Sequence, residues 1–154
     1  MQDAKILLQE AENSLRIASH LLDTTLPMVK ELKLLKPILK NIDVALTKTL
    51  QAVIQDAYNH KKIMFIPKEK EAQIRLLTEE LDKKYIQVGE KSLLIRTVSD
   101  ILTFVKESKT EFIREDKLVF CTNKYNMQQL TKEKVRQFLI LAKEFFQQAK
   151  EQVF

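Results

Sequence analysis

Residues 36–62 read KPILKNIDVALTKTLQAVIQDAYNHKK, and the fold is decided by how this stretch can bury itself. Ile38, Leu39, Ile42, Leu46, Leu50, Val53 and Ala57 recur at steps of three and four, with Lys40, Thr47, Lys48, Gln51 and Gln55 mostly between them. That is the period of an α-helix. At about 1.5 Å per residue it would be roughly 40 Å long. Its apolar arc takes in about half the circumference, too wide for one neighbouring helix to cover, so several must pack on it.

Toward the N-terminus, Asp3 to Leu26 predicts a first helix, with Asp3 as N-cap and a stripe of Ala4, Leu8, Ala11, Leu15, Ala18 and Leu22. Pro27 is expected to end it, because proline lacks the N–H that a continuing helix needs. Met28 to Leu35 is then at most a short helical piece, and Pro37 sits in the first turn of the central helix, where proline is tolerated. Toward the C-terminus, Ile63 to Pro67 is too short for a helix and too apolar for a solvated loop, which predicts an extended, packed connector. Lys68 to about Gln87 resumes the helical period through Ile74, Leu77, Leu81 and Tyr85, and Gly89, the single glycine, is its natural stop. Glu90 to Ser108 predicts another helix. The period then changes. Glu111–Arg114 and Leu118–Cys121, separated by Glu115-Asp116-Lys117, have the composition of a small hairpin whose Phe112 and Phe120 would pack on the helices. Thr131 caps a last helix whose stripe runs from Val135 through Phe138, Leu139, Ala142, Phe145, Phe146 and Ala149 to Val153.

The expected fold is therefore all-α: an up-and-down bundle of four to five helices, with a short extended or β-hairpin segment before the last one, in a single domain over residues 1–154. Composition agrees. A chain of 154 residues with one glycine, three prolines and no tryptophan has the usage of a helical protein, and this length is enough to bury a core without staples. The lone Cys121 excludes an internal disulfide and is read as a buried, inert thiol; with only His20 and His60 beside it, no metal site is expected. No apolar run approaches the roughly 20 residues of a membrane span. A cytoplasmic protein with no cofactor, metal or membrane partner is expected.

The net charge of +5, from 26 Lys and Arg against 21 Asp and Glu, permits an acidic or nucleic-acid partner without requiring one. Arg16, His20 and Asp23 share the polar side of the first helix, where a carboxylate near an imidazole has the elements of acid–base chemistry, although a solvated face with incidental contacts is the favoured reading. His60 falls in the last turn of its helix, suited to the negative end of the dipole. Asp56 falls at the flank of the apolar arc, so a cation, Arg96, Arg75 or Arg114, is expected beside it. Arg114, Lys117, Lys124, Lys132, Lys134 and Arg136, interleaved with Phe112, Phe120 and Tyr125, form a candidate phosphate or nucleic-acid site.

The first helix, Ala11-Glu12-Asn13-Ser14-Leu15-Arg16-Ile17-Ala18, and the Phe-rich last helix around Leu141-Ala142-Lys143-Glu144-Phe145 resemble the HEPN family of small helical bundles. The resemblance implies a bundle of four or five helices, commonly dimeric, and in many members a metal-independent ribonuclease with an Arg and a His near the start of a late helix. No His follows His60 here, so the resemblance supplies no catalytic residue. The leading expectation is a noncatalytic interaction or scaffolding module, self-associating as a homodimer through the broad apolar arcs that Ile6, Ile17, Leu21, Ile140 and Leu141 give the outer helices. The alternative is an RNA- or nucleotide-binding protein, a degenerate ribonuclease of that family.

Overall fold

The computed structural model describes residues 3–154. In chain order the elements are α1 (Ala4–His20), a π turn (Leu21–Thr25), α2 (Leu26–Val29), a 3-10 turn (Leu32–Leu34), α3 (Leu35–Asn59), α4 (Lys70–Leu76), a second π turn (Leu77–Leu81), α5 (Lys91–Glu107), strands β1 (Thr110–Arg114), β2 (Lys117–Cys121) and β3 (Met127–Leu130), and α6 (Lys132–Val153). Fourteen of the 25 residues of α3 are buried, from Leu35 to Ala57, more than one helix can cover, and α1, α6, α5 and α4 all pack against it. Glu10 pairs with Lys48 at 3.0 Å, Lys5 lies over the Phe154 ring and Asp23 meets Arg136, and Lys91 reaches Gln148 at 3.1 Å. These cross-links alternate the long helices up and down. Both expected caps are present: Asp3 accepts from the Lys5 N–H at 3.0 Å, and Thr131 from that of Lys134 at 3.1 Å.

The helix ends differ from expectation. The first helical segment passes through Pro27 to Val29, because the π turn sends the Leu26 N–H to the Leu21 carbonyl and shifts the register just before the residue that has no N–H to give. Lys30, in the left-handed region at φ 53°, stops it. Lys61 does the same for α3, where the Lys62 N–H reaches the Ala57 carbonyl at 2.8 Å and that of Lys61 the Tyr58 carbonyl at 3.0 Å, a Schellman closure. The segment expected to be helical to Gln87 stops at Leu81, with Lys83 at φ 69°. Gly89, also at positive φ, lies before α5 and ends no helix. In the connector Ile63 is buried and Ile66 half-buried as a packed segment requires, but Met64 and Phe65 are exposed.

The hairpin is real and gains a strand. β1 pairs with β2 through a two-residue turn with Glu115 and Asp116 both at positive φ, and β3 adds to β2 to give the antiparallel order β1-β2-β3. Nothing in the sequence marks β3, because Met-Gln-Gln-Leu shows no clean alternation. Leu118, Phe120 and Leu130 join the common core. Lys36 fastens the sheet to α3, pairing with Glu111 at 2.8 Å and lying over the Phe120 ring. Phe112, expected in the core, is 37% exposed, because its register partner Val119 points away from the core-facing Leu118 and Phe120. Leu50→Ala, at a site with no exposed surface, should cost about 2–5 kcal/mol. Thr131→Ala should cost about 1 kcal/mol, both read from denaturant unfolding midpoints.

Candidate functional site

Between the early turns of α3 and the last turns of α5 lies a half-open cleft of about 900 Å³, bounded at one end by Thr110 and Glu111 of β1. Pro37, Val44, Leu102 and Val105 give it an apolar floor, and Lys36, Lys40, Lys106 and Lys109 stand around it. Its two acids are already engaged, Glu111 by Lys36 and Asp43 by Lys70 at 2.9 Å. Lys40, Lys106 and Lys109 are exposed and have no carboxylate partner among the described residues. β1 pairs on one side only, so its other edge is an open row of backbone donors and acceptors. The lysines come from α3, α5 and the α5–β1 link, which is why no local run of charge marks them in the sequence.

The second constellation is at the other end of α3. Asp56 is 5% exposed, and its partners are Tyr85 and His60, not the arginines expected. The Tyr85 hydroxyl donates to Asp56 Oδ2, and His60 Nδ1 lies 2.9 Å from the Asp56 carbonyl and 3.5 Å from Oδ1. Arg96 is taken by Glu71. Burial pushes the Asp56 carboxyl above its ordinary value of 3.8, and the charge of the His60 ring opposes that shift. Asp82 orders the loop that brings Tyr85 here, accepting from the Val88 and Gly89 N–H groups at 3.0 and 3.3 Å. The arrangement ties this loop to the end of α3.

The remaining candidates are dispersed. Arg16 pairs with Glu12, and Asp23 with Arg136, 3.8 Å away; His20 is exposed. Arg114 and Lys117 face each other across the hairpin, while Lys124 is in the β2–β3 turn at the opposite end of the sheet, and Lys132 and Lys134 begin α6. The outer sheet face therefore carries Arg114 and Lys117, then Phe112, Val119 and Gln129, then Thr110, Cys121 and Met127. Cys121 is half-buried, not buried. Among the described residues no three His, Cys, Asp or Glu side chains gather as metal ligands, and no helix is long and apolar enough to cross a membrane.

No protein-family model matches this sequence, and neither curated proteins nor solved structures give a match. The chemistry of its own residues carries the functional reading. For Asp56 the sign is fixed. A carboxyl that holds its proton more tightly when folded makes the native state most favoured below about 3.8, and stability falls as pH rises through the higher native value. Asp56→Asn keeps an acceptor for Tyr85 and cannot ionise. Its stability relative to the native chain should rise across that window and level off above it; a relative stability that falls with pH would refute the burial effect.

Proposed function

We propose that this protein is a noncatalytic interaction module that captures an extended, acidic segment of a partner protein, adding it to the free edge of β1 and laying its side chains in the α3–α5 cleft. The observation that carries this reading is the open strand edge at the mouth of the cleft, over an apolar floor and beside Lys40, Lys106 and Lys109, which have no carboxylate partner among the described residues. Backbone pairing along a sheet edge supplies affinity and the flanking pocket supplies selectivity, while lysines around the rim steer an acidic chain. A reducing, cytoplasmic setting suits the single thiol. The resemblance to the HEPN family sits within the proposal as a branch that kept a bundle without the Arg and His of its ribonucleases. Self-association belongs to it as well, since Ile6, Ile17, Ile140 and Leu141 are exposed on α1 and α6.

One observation favours a second reading, single-stranded RNA. The outer sheet face sets the exposed Phe112 beside Arg114 and the half-buried Lys117, a ring for stacking next to cations for phosphate.

Selection from displayed random peptides should enrich segments alternating acidic and apolar residues. Lys40→Glu with Lys106→Glu should weaken the selected peptide by about tenfold or more, and bound peptide should slow amide exchange along 110–114. No enrichment, or indifference to the lysine changes, would count against the cleft. RNA binding predicts affinity for an unstructured oligonucleotide that drops steeply with salt and on Phe112→Ala; a flat salt response removes that reading. Light scattering over a dilution series tests self-association, which a monomer at the highest concentration would exclude.

A further inference from the structure

Met64 and Phe65, at the tip of the connector between α3 and α4, are 94% and 70% exposed. They are adjacent, they project from a loop and not from a helix face, and the loop beneath them is firmly held. On one side the Lys62 N–H closes α3 on the Ala57 carbonyl and Ile63 is buried. On the other Ile66 packs against the core, and the buried Gln73 donates to the Pro67 carbonyl at 2.8 Å. A loop with both feet fixed presents its tip permanently, so this exposure is part of the folded state.

The charges within the connector itself have one sign. No acidic residue interrupts residues 61–68, and Lys61, Lys62 and Lys68 are all exposed. The hydrogen bond from Tyr85 to Asp56, the residue one turn before His60, draws the 82–86 loop to the same end of the molecule and adds the exposed Lys83 and Lys84. Glu69 is exposed beyond Lys68, and Glu71 is held by Arg96. Protein interfaces are depleted in lysine and enriched in arginine, and every cation here is a lysine. A convex apolar tip flanked by flexible ammonium groups fits a surface with anionic headgroups over hydrocarbon, where lysine stems lie along the apolar layer and their charges remain at the headgroups.

We propose that the Met64–Phe65 tip and its lysines dock this protein on an anionic lipid bilayer, with the two side chains entering the boundary between headgroups and acyl chains.

The test uses the whole chain and vesicles of phosphatidylcholine alone or in equal parts with phosphatidylserine. The protein should sediment with the anionic vesicles, and binding should weaken with salt. Met64→Ser with Phe65→Ser should lower the affinity at least about tenfold, and each of Lys61→Glu and Lys62→Glu about fivefold or more. Phe65→Trp should shift its emission to the blue on anionic vesicles. Met28→Ser, an exposed residue at the opposite end of the bundle, should leave binding unchanged; unfolding midpoints equal to the native chain's confirm that the variants are folded. No sedimentation with anionic vesicles at low salt would overturn the proposal. So would binding indifferent to Met64→Ser with Phe65→Ser, or an unshifted Phe65→Trp emission, either of which means charge adsorption without insertion. Self-association in the absence of lipid that this double substitution abolishes would reassign the tip to contact between copies of the chain.

Discussion

The burial of α3 is the constraint on which the rest of this structure depends. A helix apolar over half its circumference cannot be satisfied by a single partner, and four others gather on it. Their arrangement follows from that need. Where α1 and α5 do not meet over the early turns of α3, Lys40 and Val44 are exposed, and the cleft is this uncovered stripe. Its mixed chemistry, an apolar floor with charged walls, is that of a helix flank passing from core to solvent.

The same burial explains the polar cluster at the other end. Asp56 is carried inward because it rides on a helix whose flank is covered there, and it is accommodated by a phenol hydroxyl and an imidazole. A tyrosine partner carries no formal charge, so the carboxyl shifts upward where an arginine would have held it down. Asp56 thereby acts as an acceptor that ties a distant loop to the end of α3.

The helical period was legible from the sequence, and so were the caps at Asp3 and Thr131, the position of the hairpin and the inward phase of Asp56. These depend on residues within a few positions of one another. The partner of Asp56 was not legible, since Tyr85 is 29 residues away; nor was the cleft, whose Lys36–Glu111 link spans 75. Phe112 and Phe120 look alike locally, and only the strand register separates them into an outer and an inner residue. The hairpin turn was also obscured, because two consecutive positive φ values usually ask for Asn-Gly and here fall on Glu115 and Asp116.

The misplaced helix ends share one cause. With one glycine in the chain, the left-handed residues that close helical segments are lysines, Lys30, Lys61 and Lys83. Such geometry costs an L-residue roughly 1–2 kcal/mol, offset in part by placing a cation at the negative end of a helix dipole. Two of these stops adjoin exposed apolar residues, Met28–Val29 before Lys30 and Met64–Phe65 after Lys61. Strained backbone and solvated hydrocarbon both count against folding, and here they recur together at segments held by good hydrogen bonds. Strain of this kind persists only where the surroundings over-determine it. Both connectors meet that condition, since Leu26 and Leu32 flank the first and Ile63 and Ile66 the second, all packed into or against the core, so each is a firm projection and not merely a convenient turn.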